Sequence, residues 1–515
     1  MLLIYPPGAR SPEPPLGIAR LAGYLRSRGR SVRCLDFCQE GLEYLLEAER
    51  ADPPEDTWTR GALRRRRGAA EALRSPGTYA NFDRYVRAVR DLNRSLKFVS
   101  EPFGAEAGLA DYRDANRSPL RRADLVAAAA EHRSSVFYGF FSRRLAAELA
   151  EDPEATVGVS IVFLSQALPA FALVGLLRAE HPRTRILLGG GLVTSWRSLG
   201  LLGGDETFDG LVDALLPGPG EPALDAELEA EPGADLAGAG PRGPVCPEFG
   251  DFDTLRYFSP TRITPYNFST GCPWRRCGFC PETAEGSAYR GLPAARANAD
   301  LAELGRRFSP GLFHFTDNEI APLHLRALAE NPPGAPWYGF ARFSSVLADP
   351  AFCRRLADSG CRMLQLGLES GDQAVLDALG KGTRLEEIDR ILEALAGAGI
   401  GTYLYVLFGT PAESRDAALR TRDFIAGRAA KIDFLNVAVF NMPATSPEAA
   451  RHGARAFYEG DLSLYCEFSH PAGWNRDEVR SFLRGDFESS APIAAILRRT
   501  PPVFTSSHAP FFLGA

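Results

Sequence analysis

No stretch of about 18 consecutive apolar residues occurs in the 515-residue chain, so a transmembrane helix is not expected. The opening residues Met1-Leu2-Leu3-Ile4-Tyr5-Pro6-Pro7 carry no basic cluster, and proline stops the apolar run at once. They read as a first β-strand and not as a secretory signal. Positive charge is not in excess: the formal net charge is −6, so neither nucleic acid nor a membrane is an expected partner. No internal repeat is visible, which sets aside solenoids. Cysteine is sparse, nine residues and an odd number. Without an export signal, that suits a reducing cytoplasm rather than a disulfide framework. The length allows two or three domains.

What the chain does have is Gly271-Cys272-Pro273-Trp274-Arg275-Arg276-Cys277-Gly278-Phe279-Cys280. Thiolates this close together suit a soft metal centre. A structural zinc usually takes four protein ligands, commonly as two pairs, and no second Cys or His pair follows. An iron–sulfur cluster on three cysteines keeps one iron open to another ligand. Spacing alone leaves both centres open. The remaining cysteines, Cys34, Cys38, Cys246, Cys353, Cys361 and Cys466, are scattered and read as ordinary thiols.

The pattern Cys-x4-Cys-x-aromatic-Cys, with Phe279 as the aromatic and the strand-like run Thr261–Thr270 before it, resembles the cluster loop of radical S-adenosylmethionine (SAM) enzymes. The commonest form of that loop has three residues between the first two cysteines. Four is a spacing found among cobalamin-dependent members. The resemblance implies that Cys272, Cys277 and Cys280 hold a [4Fe–4S] cluster whose open iron binds SAM.

Residues 1–245 read as one α/β domain. Leu2–Tyr5 is a strand, Leu16–Arg28 a helix by its apolar spacing, and Ser31–Phe37 a second strand, which makes a βαβ opening. A mostly helical, Arg- and Ala-rich insertion at about 39–150 interrupts the rhythm. Its Arg64–Arg67 block reads as a solvated helix face or, less simply, an anion site. The alternation resumes with a strand at Thr156–Leu164, a helix at Ala170–Glu180, a strand at Arg185–Leu188 and a strand at Phe208–Leu216. Such alternation implies a doubly wound parallel sheet, with ligands at the carboxyl ends of the strands. Gly189-Gly190-Gly191 removes every Cβ after one strand and would let the backbone lie against a flat ligand. Placed before the cysteine loop, the domain resembles the Rossmann-like cobalamin-binding domain of B12-dependent radical SAM enzymes. The residues that carry this are Pro14-Pro15-Leu16-Gly17, Leu164-Ser165-Gln166, Gly189–Gly191 and Gly218-x-Gly220-Glu221. None of the seven histidines stands in Asp-x-His-x-x-Gly, so no histidine is expected on cobalt.

Residues 246–455 read as a partial (β/α)6 TIM-type barrel, with chemistry at the strand carboxyl ends. The resemblance extends along it. Asp317-Asn318-Glu319 stands where the family has Gly-Gly-Glu, which would place Glu319 at the SAM ammonium. Arg342 would pair with the methionine carboxylate, which a guanidinium fork matches. Gly367-Leu368-Glu369-Ser370 resembles the ribose motif and Gly409-Thr410-Pro411 the adenine motif. Thr383-Arg384-Leu385-Glu386 has the pattern of a capping box. Residues 456–515 form a small C-terminal segment rich in aromatics, including Phe457, Tyr458, Tyr465, Trp474, Phe504, Phe511 and Phe512. It reads as a closure of the barrel mouth, a substrate contact or a packing helix pair.

The resemblance implies a cobalamin-dependent radical SAM methyltransferase. A 5′-deoxyadenosyl radical would activate a substrate carbon, and methylcobalamin would methylate it. The substrate would be a small molecule or a peptide, and the electron donor a flavodoxin or ferredoxin. A rearrangement or cyclisation without methyl transfer is the alternative within enzymes. A zinc-binding interaction protein is the alternative outside them.

Overall fold

Leu2–Tyr5 forms the first strand with all four residues buried, as a strand covered on both faces must be. The computed structural model describes residues 1–203, 208–229, 245–456, 460–503 and 508–514. Two compact units divide the chain, Met1–Arg262 with Tyr458–Leu464, and Ile263–Phe457 with Tyr465–Ala515. The aromatic stretch after 245 belongs to the first unit: Phe249, Tyr257 and Phe258 are buried, and the Tyr257 hydroxyl donates to Asp36 at 2.8 Å.

The first unit is built on β1 (Leu2–Tyr5), β2 (Arg33–Asp36), β3 (Thr156–Ser160), β4 (Arg185–Gly189) and β5 (Ala214–Leu216). The order is β2-β1-β3-β4-β5, all parallel. In sheets of this order the connections reverse between β1 and β3, and the crevice at that point takes ligands. Two strands are shorter than their apolar runs. β3 stops at Ser160 because the Gln166 side chain takes the N–H groups of Val162 and Phe163, which then cannot join a ladder. Before β5, Phe208 turns inward to pack on Phe171. The insertion is helical at Phe37–Glu47, Thr57–Leu73, Phe82–Ser100, Arg122–Ala130 and Tyr138–Glu148, with a hairpin of Ala105–Ala107 and Tyr112–Asp114. In the arginine block, Arg65 forks onto Asp91 and Arg66 donates to the Ala48 carbonyl, while Arg64 and Arg67 are exposed. The block is a helix surface.

The second unit is a six-stranded parallel sheet of β6 (Ile263–Tyr266), β7 (Leu312–Phe315), β8 (Trp337–Ala341), β9 (Cys361–Glu369), β10 (Gly401–Phe408) and β11 (Phe434–Val439). Its order is β11-β10-β9-β8-β7-β6, that of a partial barrel. The last residues of the C-terminal segment cover the amino ends of the strands. Ala509 packs with Ile263, Leu312, Met363, Tyr403 and Phe434, residues from the amino ends of the strands. The His508 ring stacks on Tyr403 at 4.8 Å. Phe512 covers Gly401 so closely that a Cβ there would overlap its ring. Phe457, Tyr458 and Phe504 lie outside the described residues. The capping box is not formed. The helix Leu385–Gly397 has Arg384 at its N-cap with no side-chain cap bond, and Gln373 takes the Leu385 N–H at 3.0 Å instead.

Candidate functional site

The cysteine loop leaves the sheet through Ser269–Thr270, which pairs with Arg290–Gly291 and closes the loop at its base. Gly271 sits at φ +71, with the Ala288 carbonyl where a side chain would go. The loop is bound on two sides. Asp317, at the end of β7, accepts from the Phe268 N–H at 2.9 Å and the Ser269 hydroxyl at 2.6 Å. On the other side, Gly278 N–H donates to Leu379 O at 3.0 Å and Trp274 Nε1 to Gly380 O at 2.8 Å. Gly380 and Gly382 both have positive φ, and a Cβ at either would overlap the cysteine loop, at Arg276 and at the Trp274 ring. The Arg342 guanidinium stacks on Trp274 at 3.9 Å and donates to the Lys381 carbonyl at 2.5 Å.

Charge gathers under this loop at the carboxyl ends of β7, β8 and β9. Arg342 Nε lies 3.8 Å from Glu319, and the Cys272 thiol donates to Glu319 at 3.7 Å. Lys381 and Glu369 form a 2.9 Å pair with both side chains largely buried. Gly367 makes room for that pair, because a Cβ there would crowd both charged ends. Glu369 itself has φ +62, beside a register shift in β9. A non-glycine residue in that region costs roughly 1–3 kcal/mol, a strain that concentrates at functional sites. Burial pushes the Cys277 thiol up to about 11, against the lowering fields of Lys381 and Arg342. Burial also raises Cys280, opposed by the backbone N–H groups of Glu282 and Thr283. Glu319 is raised by burial and lowered by Arg342. Asp317 is pushed up to about 6 by burial despite its hydrogen bonds.

The strand ends of the first unit are arranged differently. Gly8 has φ +101 and lies against the Ser165 carbonyl. Gln166 spans the crevice, donating to Pro6 O at 2.8 Å. Gly190 has φ +106 and lies against the Ile161 backbone. Gly189 faces the Leu216 carbonyl, Gly220 lies on Leu21, and Glu221 pairs with Arg20 at 2.7 Å. At Gly17, Gly191 and Gly218 the space beside the backbone stays free of close contacts. A cavity of about 330 Å³ brings Leu164, Ser165 and Leu168 together with Tyr112, Arg117 and Pro119 of the insertion.

Residues 266–425 match the family model of the Radical SAM superfamily. The chain carries a radical SAM domain. Two curated relatives match part of the chain. An anaerobic magnesium-protoporphyrin IX monomethyl ester cyclase of Rubrivivax gelatinosus is 24% identical over 34% of this chain and 33% of its own length. A bacteriochlorophyllide d C-12(1)-methyltransferase of Chlorobaculum tepidum is 26% identical over 32% of this chain and 38% of its own. The chain therefore spans about a third of the length of either relative. Among solved structures, the radical SAM methyltransferase TsrM of Kitasatospora setae, with tryptophan and aza-SAM bound, matches at TM-score 0.53 and 15% identity over 96% of this chain and 88% of that one. The same protein with cobalamin and a [4Fe–4S] cluster bound matches at 0.50 and 17%, over 87% and 77%. At these identities the likeness is one of fold.

Within the radical SAM domain, Cys272, Cys277 and Cys280 share one loop and are free thiols, each half-buried. Among the described residues no three metal-ligating side chains converge on one point. The donor set fits a soft centre: three thiols in one loop, none in a disulfide, with Lys381 and Arg342 opposing the effect of burial on Cys277. Glu319 and Arg342 meet at the end of β8. Asn318 is exposed beside them, and Asp317 is committed to the loop backbone. Ser370 is fully buried and bonded to Thr421 and to the Asp372 N–H, so its hydroxyl is a support for the strand end. Gly409, at φ +83, donates its N–H to Glu413 at 2.6 Å. Lys381, Trp274 and Glu413 escaped the reading of the sequence. Lys381 had one signal: it is one of only three lysines in the chain, flanked by two glycines. A further cavity, about 710 Å³ and lined by Asn298, Arg306, Ser309 and Asn331, opens where the chain enters β7 and β8, away from these residues.

Proposed function

We propose that the chain is a cobalamin-dependent radical SAM enzyme and that its reaction is methylation of a substrate carbon. The observation that carries this is the joining of a β2-β1-β3-β4-β5 sheet to a radical SAM domain whose cysteine loop is locked over four convergent charges, Glu319, Arg342, Glu369 and Lys381. The fold it shares with TsrM, a methyltransferase that binds cobalamin and a [4Fe–4S] cluster, supports it.

Cys272, Cys277 and Cys280 would hold the cluster. Bound there, the cluster supplies the electron that cleaves SAM, and cobalamin held by the first unit supplies the methyl group. The chain's own residues bind and align. Glu319 accepts from the SAM ammonium, and Arg342 pairs with its carboxylate, held flat by Trp274. Glu369, fixed by Lys381, takes the ribose. The Gly409–Thr410 strand end faces the adenine. In the first unit, Leu164, Ser165, Gly191 and Gly218 border the corrinoid, while Gln166, Gly190, Gly220 and Glu221 hold the rim together. A flavodoxin- or ferredoxin-type reductant and a small-molecule or peptide substrate complete the system.

The test is anaerobic reconstitution followed by product counting. About four irons and four sulfides per chain, with corrinoid absorption, are expected. One 5′-deoxyadenosine and one S-adenosylhomocysteine should form per methylated product. The cyclase relative favours a second reading, cyclisation or rearrangement. Deoxyadenosine without S-adenosylhomocysteine, while substrate is consumed, would replace the first reading by the second.

A further inference from the structure

We propose that the segment His470–Trp474, which lies beyond the superfamily match, positions the Gly409–Thr410 strand end for the adenosyl group, with Glu413 as the positioning residue that joins them. The inference rests on the SAM site proposed above.

Glu413 is 1% exposed. One of its oxygens, Oε2, accepts from Gly409 N–H at 2.6 Å and from Trp474 Nε1 at 2.9 Å. A single carboxyl oxygen therefore ties the strand end to the C-terminal segment. His470 makes a second tie. Its Nδ1 accepts from the N–H groups of Ala472 and Trp474 at 3.1 and 3.2 Å, which leaves the proton on Nε2. That Nε2 donates to the Thr410 carbonyl at 2.9 Å, an oxygen that also takes the Glu413 N–H at 2.9 Å. Both residues of the strand end are thus held by the main chain: Gly409 through its N–H, Thr410 through its carbonyl. Val479, in the helix Arg476–Phe482, would meet a Cβ of Gly409 at 3.2 Å. The Trp474 ring packs on Phe482 at 5.6 Å, and Phe482 on Phe408 at 5.7 Å.

The other oxygen, Oε1, is buried without a hydrogen-bond partner. A buried carboxylate with one unsatisfied oxygen is costly, and the neutral acid is the form such a pocket favours. Burial accordingly pushes the Glu413 carboxyl up to about 7. A neutral carboxyl keeps the carbonyl-type acceptor that both donors need and brings no charge to a neutral adenine. Gly409 at φ +83 has no side chain to fix its direction, so the bond to Glu413 sets where its carbonyl and the next residue point. A strand end held in this way offers the nucleoside a ready-made edge, and binding need not order it first.

The test uses the full chain, reconstituted anaerobically, with S-adenosylhomocysteine and methionine as separate calorimetric probes. Trp474→Phe keeps an aromatic ring to face Phe482 and removes the N–H together with part of the indole; a loss of packing alone should reach both ligands alike. The variant should weaken S-adenosylhomocysteine about tenfold, the effect of one lost buried hydrogen bond at a positioned edge. Methionine binding should stay unchanged, whereas general loosening of the barrel would weaken both ligands. Glu413→Ala should do the same and Glu413→Gln should restore affinity. With SAM as substrate, KM should rise while kcat stays within about twofold, as expected for lost uniform binding. Equal affinity of wild type and Trp474→Phe for S-adenosylhomocysteine, or equal losses for both probes, overturns the positioning role. Wild type that binds no S-adenosylhomocysteine overturns the SAM site itself.

Discussion

The carboxyl ends of the two sheets differ in how their polar groups are used. In the first unit the loops satisfy one another. Gln166 binds both Pro6 and the Val162–Phe163 backbone, Glu221 is held by Arg20, and Gly8, Gly190 and Gly220 are glycines because protein fills the space of their side chains. In the second unit, three thiols, two carboxylates and two cations crowd one rim, and the strained Glu369 is among them. A glycine run therefore says that something approaches the backbone, without saying whether it is a ligand or another loop. Buried charge at a strand end is the stronger sign of a ligand, since folding alone is better served by apolar packing.

The largest expected effect falls on the crowded rim. Cys272→Ala, Cys277→Ala or Cys280→Ala should each abolish SAM cleavage and collapse iron content. Cys353→Ala and Cys361→Ala remove thiols that are wholly buried in the core, at about 1 kcal/mol each, and should leave iron unchanged. Iron lost in either core variant would break the comparison.

Next comes the self-satisfied rim. Gly190→Ala places a methyl on the Ile161 backbone at φ +106, so it should cost about 4 kcal/mol or prevent folding. Gly191→Ala meets nothing closer than 3.9 Å and should fold with a melting temperature near that of wild type. Corrinoid retention, followed by absorption after gel filtration, then tests whether Gly191 borders the ligand. A Gly190→Ala protein as stable as wild type would show that the rim is looser than its contacts indicate.

Much of this was legible in the chain. Each barrel strand is an apolar run bounded by turn residues, and Cys272, Glu319, Arg342 and Glu369 follow as strand-end residues once the strands are placed. What was not legible depends on side chain to backbone bonds between distant positions. Gln166 ends β3 early, and Gln373 caps a helix that Thr383 was expected to cap. That the space of the missing Cβ at Gly190 is taken by the Ile161 backbone could not be named from sequence. Glu413 and Trp474 are 61 residues apart, and no periodicity links them.

Lys381→Met sharpens the contrast between the rims. It removes the partner of a Glu369 whose side chain is 13% exposed, and leaving that carboxylate alone should cost about 3 kcal/mol in denaturant unfolding. Arg20→Met, at the more exposed pair with Glu221, should cost under about 1 kcal/mol. Lys381→Arg should recover part of the stability. Equal losses at the two pairs would mean that the rims do not differ in charge burial.

The smallest effect tests a place where the barrel rim resembles the other. At Glu413 one carboxyl oxygen accepts from a glycine N–H and an indole, much as the loops of the first unit bind one another. In the unfolded chain this group titrates near 4.5, and in the fold near 7. Below pH 4.5 both states hold the proton, so the group adds no pH dependence. Between 4.5 and 7 the folded state keeps the proton that the unfolded state has lost, so stability falls as pH rises, and above 7 the fall is complete. The full shift corresponds to roughly 3 kcal/mol, and relaxation around an ionised carboxylate should reduce what is seen to about 2 kcal/mol. Glu413→Gln cannot lose a proton, so its stability relative to wild type should increase from pH 5 to pH 8. His470, whose pKa burial holds below its usual value, is present in both proteins and cancels. Asp372, which also raises Glu413, is held by Arg420 and stays ionised throughout. Parallel stability curves for wild type and Glu413→Gln between pH 5 and 8 would mean that Glu413 is ionised in the fold, and that this corner shares the charged character of the rest of the rim.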